Sequence, residues 1–222
     1  MKILSCYWQV DDSVNAWPEL VSEQAIPPLL RRRLTDLGRM AFNGLSSASA
    51  TVGGSHIPWV IACRHGDTAR MGRLLTELAE GETLSPTDFS LSVHNAIAAQ
   101  FAIATGNKKM QTALSGGEQS FELGLLEAYA LQTETGENIG YIYYDQPLPA
   151  PYHLESDVPA VCIAMILSGA TDYSNGIDLS YCHLSESTQS GFYPFIDFMN
   201  NQTSTLNLAV AGGSFLMERR HG

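Results

Sequence analysis

The stretch Ile3-Leu4-Ser5-Cys6-Tyr7-Trp8-Gln9-Val10 is dominated by strand-forming residues and predicts a first buried strand over 3–10. A proline-containing loop over 17–28 then leads to a helix start. Over 29–42, Leu30, Leu34, Leu37 and Met40 recur at helical spacing, which predicts an amphipathic helix ending near Ser46, with Arg31, Arg32, Arg33 and Arg39 on its outer face. The apolar run over 57–63 reads as a buried strand closed by Arg64-His65-Gly66-Asp67, followed by a helix over 69–78 that Gly81 stops. Ser85-Pro86-Thr87-Asp88 has the form of a helix entry, and 93–104 is an alanine-rich helix whose small residues permit close packing. A short extended piece over 109–113, a turn at Ser115-Gly116-Gly117 and a helix over 118–132 come next.

Two strong strands, 138–144 and 158–167, flank a connection carrying Pro147, Pro149 and Pro151. A strand over 179–183, a helix over 193–199 and a strand over 206–210 close the chain. Strands alternating with helices, then strands in succession, predict an α/β sheet with helices packed on it. No internal repeat or low-complexity tract interrupts the pattern, so residues 1–222 are expected to form a single domain.

Charge narrows the partners. Twelve Lys and Arg against twenty-three Asp and Glu give a net charge of −11, which repels nucleic acid and anionic lipid at long range. Hydrophobic residues at 45% with charged residues at only 16% point to a surface partly covered by a partner. The basic residues crowd the first third, from Arg31 to Arg73, and none stands between Lys109 and Arg219. The N-terminal apolar run is too short for a signal peptide, and no stretch approaches the roughly 18 apolar residues of a membrane span, so a cytoplasmic location is expected. Cys6, Cys63, Cys162 and Cys182 are widely spaced and read as buried free thiols, with neither metal nor cofactor expected.

Two short motifs suggest enzymes. Arg64-His65-Gly66 after a strand and before a helix is similar to the phosphoryl-accepting motif of histidine phosphatases, but the arginine desert after Arg73 leaves a phosphoryl group without its usual clamp. Ala113-Leu114-Ser115-Gly116-Gly117 is similar to a nucleophile elbow with Ser115 as nucleophile, but the strand before it carries Lys108 and Lys109, where an elbow needs an apolar core strand.

A longer series of features points elsewhere. Ser85-Pro86, His94-Asn95-Ala96, Ala98-Ala99, Thr105-Gly106 and Thr112-Ala113 fall in one order at spacings that resemble the N-terminal half of β-ketoacyl synthases of the thiolase superfamily. In that family Thr-Ala-Cys opens the helix bearing the nucleophile, and Leu114 stands at the cysteine's place. Leucine can form no thioester, so the resemblance implies no catalytic residue here. His153, His183 and His221 do not sit in motifs matching the family's two C-terminal histidines.

The resemblance further implies a thiolase-like fold shortened to roughly half a ketosynthase, and a noncatalytic subunit of the chain-length-factor kind. Ile26-Pro27-Pro28-Leu29-Leu30-Arg31-Arg32-Arg33-Leu34, Ala62-Cys63-Arg64-His65-Gly66-Asp67 and the short length bring it near the ketosynthase-like proteins of bacterial aryl-polyene clusters. It implies a catalytic ketosynthase as partner, met through Lys109, Met110, Gln111, Thr112 and Ala113 with His94 and Asn95 nearby. Arg31, Arg32 and Arg33 would dock an acidic acyl carrier protein or the partner subunit. A half-length chain would also leave its central helix layer bare on one side, to be covered by that partner. Glu118 and Glu122 need no special role, since the start of a helix stabilises both.

Overall fold

The computed structural model describes residues 1–17, 26–50, 56–152, 158–170, 176–183, 187 and 189–219. In chain order the strands are β1 (Lys2–Val10), β2 (Ser13–Trp17), β3 (Trp59–Ala62), β4 (Gln111–Leu114), β5 (Ile139–Asp145), β6 (Val161–Ser168), β7 (Ile177–His183), β8 (Thr205–Val210) and β9 (Gly213–Arg219). The helices are α1 (Pro28–Arg31), α2 (Asp36–Ala50), α3 (Thr68–Ala79), α4 (Pro86–Ser90), α5 (Ala96–Thr105), α6 (Ser120–Thr135) and α7 (Phe192–Asn201).

One sheet carries all nine described strands in the order β4-β3-β5-β6-β1-β7-β9-β8, with β2 paired to β1 as a hairpin. Strand β3 is parallel to β4 and β5, while β6 runs antiparallel to both β5 and β1. The three parallel strands therefore release their loops at one end of the sheet, where open α/β sheets place ligand-binding residues. Strands β5 and β6 are buried along their whole lengths, as predominantly apolar strands are when both sheet faces are covered, with Asp145 and Ser168 at their ends as the buried polar exceptions.

On one face α2 and α5 pack, with Phe42, Leu45 and Phe101 against Trp59, Ile61, Ile142 and Ala164. Edge-to-face contacts, Phe42–Phe101 at 5.2 Å and Trp59–Phe101 at 6.2 Å, lock the two helices to the sheet. On the other face lies α6, whose Phe121, Leu125 and Ala128 share a core with Tyr141, Met165, Phe195, Leu208 and Phe215. Tyr129 of α6 meets Phe215 of β9 at 5.5 Å, and Phe121 meets Phe195 of α7 at 5.5 Å.

That second core corrects one expectation. The central helix is not left bare within the chain: one side, with Gly124, lies on β3 and β5, while Phe121 meets Phe195 of α7, Tyr129 meets Phe215 of β9, and Phe121, Leu125 and Ala128 share a core with Leu208 and Phe215. A second correction concerns the arginine-bearing helix expected over 29–42. It is broken into α1 and α2, because the Thr35 hydroxyl accepts a hydrogen bond from the Gly38 amide at 3.2 Å and so starts a new helix. Leu30, Leu34 and Leu37 remain buried, and Met40 is half-buried, so the spacing reported the face correctly while missing the break. Strands β2 and β9 were not expected from the sequence. Cys6, Cys63 and Cys162 are buried free thiols, whereas Cys182 is exposed.

Candidate functional site

The loops after β3, β4 and β5 hold the polar residues that the sequence singled out. After β3, burial holds the Cys63 thiol protonated, pushed up to about 12, with the Asp145 carboxylate adding to the effect. Such a thiol is a packed core group and not a nucleophile. His94 lies beside this loop: a Cβ added to Gly66 would fall 3.0 Å from its Cδ2, and its carbonyl accepts the Tyr144 hydroxyl proton at 2.7 Å. Asn95 is exposed at the start of α5, and its side chain makes no capping bond.

Asp145 ends β5 fully buried. Its carboxylate accepts from the Gln146 amide at 3.0 Å and from the Tyr143 hydroxyl at 3.3 Å, yet burial still pushes its pKa above the ordinary aspartate range. Glu122 on α6 is also buried, with one oxygen accepting from the Gly191 amide and the other without a partner among the described residues. Its pKa is likewise raised by desolvation. Sequence reasoning missed both carboxyl groups. It assigned Glu122 no role beyond stabilisation at the start of a helix, although Phe121 and Leu123 on either side of it signal that this turn faces the core. Between α6 and α7 a cavity of about 210 Å3 is walled by Phe121, Tyr143, Phe192 and Tyr193, with Arg64 and Glu118 also lining it.

Leu114 is the last residue of β4, and it packs against the core that contains Phe121 and Tyr143. Residues 115–117 then turn, with Gly117 at φ +62°, a conformation that a side chain resists. A single 3-10 turn, Gly117–Gln119, precedes α6. Leu114 therefore stands where strand hands over to helix, but it does not itself open the helix.

The geometry answers the two enzyme motifs. Ser115 donates its hydroxyl proton to the Arg64 carbonyl at 2.9 Å, so that oxygen is tied to the backbone instead of to a base. Asp67 caps α3 by accepting from the Arg70 amide, and the Arg70 guanidinium is consumed by Asp67 and Asp88. Arg70 thus cannot clamp a phosphoryl group on His65.

Strand β4 forms one end of the sheet, with an edge that pairs with no other described strand. The strand expected over 109–113 is shifted: Lys109 precedes it and pairs with Glu137 at 2.8 Å, Met110 is exposed, and Gln111, Thr112 and Ala113 form β4 with Leu114. The Gln111 amide donates to the Ala98 carbonyl at 3.3 Å and so ties this edge to α5. Val93, Ile103 and Met110, on the segments flanking the edge, expose large apolar side chains, Ile103 at 75%.

The Arg31-Arg32-Arg33 run lies at the end of α1 and the turn after it, with all three side chains exposed. Arg32 and Arg33 line an open cleft of about 770 Å3 together with Arg39, Arg70 and Arg73, whereas Arg31 does not line it.

Comparison with known proteins then decides the family. Residues 7–206 match the profile of the β-ketoacyl synthase N-terminal domain. The chain belongs to that family. A chain in the structure of a ketosynthase (ApeO) in complex with its chain length factor (ApeC) from Xenorhabdus doucetiae is similar to it, with a TM-score of 0.71 and 20% identity over 94% of this chain and 85% of that one. The ishigamide ketosynthase/chain length factor structure is similar over 67% of this chain and 49% of that one, with a TM-score of 0.52 and 12% identity. None of the curated proteins compared with it matches. The fold of this ketosynthase-like domain is thus the thiolase-like one. Among the described residues no helix is long and apolar enough to cross a membrane.

Proposed function

We propose that this ketosynthase-like domain is a noncatalytic, chain-length-factor-like partner of a catalytic β-ketoacyl synthase in type II polyketide- or fatty-acid-like synthesis, of the aryl-polyene kind. The observation that carries the reading is Leu114 at the strand-to-helix handover, where the family resemblance would have its cysteine. An apolar side chain packed into the core there offers no thiolate for an acyl chain. The likeness in fold to chains of two ketosynthase/chain length factor structures supports the reading.

The contact with the catalytic subunit is assigned to the β4 edge, through Met110, Gln111, Thr112 and Ala113, with Lys109, His94 and Asn95 beside it. An open strand edge flanked by exposed Val93, Ile103 and Met110 is what a partner would cover. A lasting interface of this kind buries about 2,000 Å2 or more. An acyl carrier protein is the further partner, acidic and met by Arg31, Arg32 and Arg33. The work is assigned to the cytoplasm.

Co-expression with a ketosynthase and size-exclusion chromatography test the partnership. A stable heteromer is expected, and Met110→Asp, which places a charge on the edge, should dissociate it while leaving the chain's own melting temperature unchanged. A chain that stays monomeric beside the ketosynthase encoded with it would overturn the proposal. So would a stoichiometric acyl adduct on the purified chain after incubation with an acyl thioester, read by intact-mass analysis.

A further inference from the structure

We infer that the cleft between the α1–α2 turn and helices α3 and α4 is a binding site for a phosphate ester or diphosphate. Five arginines and two aspartates line it, in a chain whose net charge is −11. The guanidinium groups fall into two classes. Arg70 is buried, and it is the scaffold: it pairs with Asp67 and Asp88 and donates to the Arg33 carbonyl at 2.6 Å, which pins the arginine-bearing turn to α3 and α4. Arg39 pairs with Asp36 at 2.7 Å, and Arg73 with Asp88 at 3.0 Å, so both cleft carboxylates already hold a cation. Arg32 and Arg33 are exposed, and among the described residues their side chains have no hydrogen bond or ion pair.

The cleft therefore presents two uncommitted guanidinium forks on a backbone held by a buried ion-pair network. Each fork can give two parallel hydrogen bonds to one anion, and a phosphate, with several oxygens and up to two charges, satisfies two forks at once where a single carboxylate satisfies one. The opening of about 770 Å3 leaves room for the remainder of an esterified ligand. This site is separate from the β4 edge, being built from α1, α2, α3 and α4, and it stands whether or not the edge binds a ketosynthase.

Calorimetric titration of the full chain with pyrophosphate at low ionic strength tests it. Binding is expected, and Arg32→Ser/Arg33→Ser should weaken it at least about tenfold, the loss that follows from removing a hydrogen-bonded charged donor. Neither side chain supports the fold, so the melting temperature serves as the control. Lys108→Ser, which removes an exposed cation that does not line the cleft, should leave the affinity unchanged. A second arm separates the two sources of the phosphate. If a carrier protein bearing its phosphopantetheine group binds more tightly than its unmodified form, and pyrophosphate displaces it, the ligand is that group's phosphodiester. If the two carrier forms behave alike while pyrophosphate still binds, it is a free phosphorylated molecule. Absence of pyrophosphate binding, or equal affinity in the double variant, overturns the inference. Complex formation with the ketosynthase, read from Met110→Asp, fails or holds independently.

Discussion

Gly124 and Gly72 both lie inside helices, and alanine at the two positions should shift stability in opposite directions. In a helix interior, Gly→Ala contributes about 1 kcal/mol through propensity. At Gly124 in α6 the added Cβ would fall 2.5 Å from the Ala62 Cβ and 2.7 Å from the Tyr141 Cε2. Neither neighbour can yield: both are fully buried on the sheet, and the Tyr141 hydroxyl donates to the Phe121 carbonyl at 2.5 Å. Carbon atoms pack at roughly 3.5–4.0 Å, so α6 must lift from the sheet by about 1 Å, which loosens Phe121, Leu125 and Ala128 as well. Overpacking of this severity costs about 3 kcal/mol, leaving a net loss near 2 kcal/mol after the propensity gain. For a chain of this size that is a fall of about 4–8 °C in melting temperature. At Gly72 in α3 the nearest atom is the Pro149 Cγ at 3.4 Å, an ordinary contact, so Gly72→Ala should raise the melting temperature by about 1–4 °C. Thermal unfolding followed by circular dichroism reads both. A Gly124→Ala variant that melts at or above the parent, or two variants that shift with the same sign, would refute the packing of α6 against β3 and β5.

Buried Glu122 and Asp145 both have raised pKa values in the folded state, so the folded chain binds their protons more tightly than the unfolded one. Their contribution is then most favourable below the unfolded carboxylate pKa and is lost as pH rises toward the folded one. The melting temperature of Glu122→Gln minus that of the parent should therefore grow as pH rises from about 4 to 8, reading the Glu122 share alone; a difference independent of pH would show that Glu122 is not desolvated. Leu114→Cys should form no acyl adduct with an acyl thioester and should alkylate no faster than exposed Cys182, because residues 115–119 separate it from the start of α6 and a helix terminus acts only over its first turn. Rapid acylation of that variant, seen as an intact-mass shift, would mean the nucleophile position is activated and only its thiol was missing.

The elements that sequence located well are those whose apolar residues have one partner face and no competitor. The runs around Ile142 and Ile163 are apolar on both sides, so a doubly covered strand is the only economical arrangement. Helix spacing found Leu30, Leu34 and Leu37 but could not see the break between them, since a periodic face continues across a bend while the Thr35 cap acts locally. Strand β2 escaped because it is a short, partly exposed hairpin arm, and β9 because the residues 213–219 look like a chain end until β7 and β8 pair on either side. Those pairings also explain how the central helix is covered: β9 inserts between β7 and β8, and this unit with α7 shares a core with α6, a long-range arrangement that nothing local in the sequence of 177–219 states.

The sites divide along the same line. The Arg31-Arg32-Arg33 run is contiguous and was legible, whereas its companions Arg39, Arg70 and Arg73 reach the cleft only because Arg70 binds Asp67, Asp88 and the Arg33 carbonyl together. Charge in sequence therefore identified the segment, and the ion-pair network made it a cavity. At Leu114 the order of events is reversed. A leucine side chain carries no nucleophile whatever its surroundings, and the structure adds that this half-buried leucine packs against the α6 core. A position kept apolar by packing resists conversion into a nucleophile, since a thiol there would lose the leucine's buried contacts and, lying short of the helix start, would gain little activation from it. Under the proposed reading such a chain acts through its surface, and the strand edge beside Met110 and the arginine cleft are the parts of the described surface on which that reading is tested.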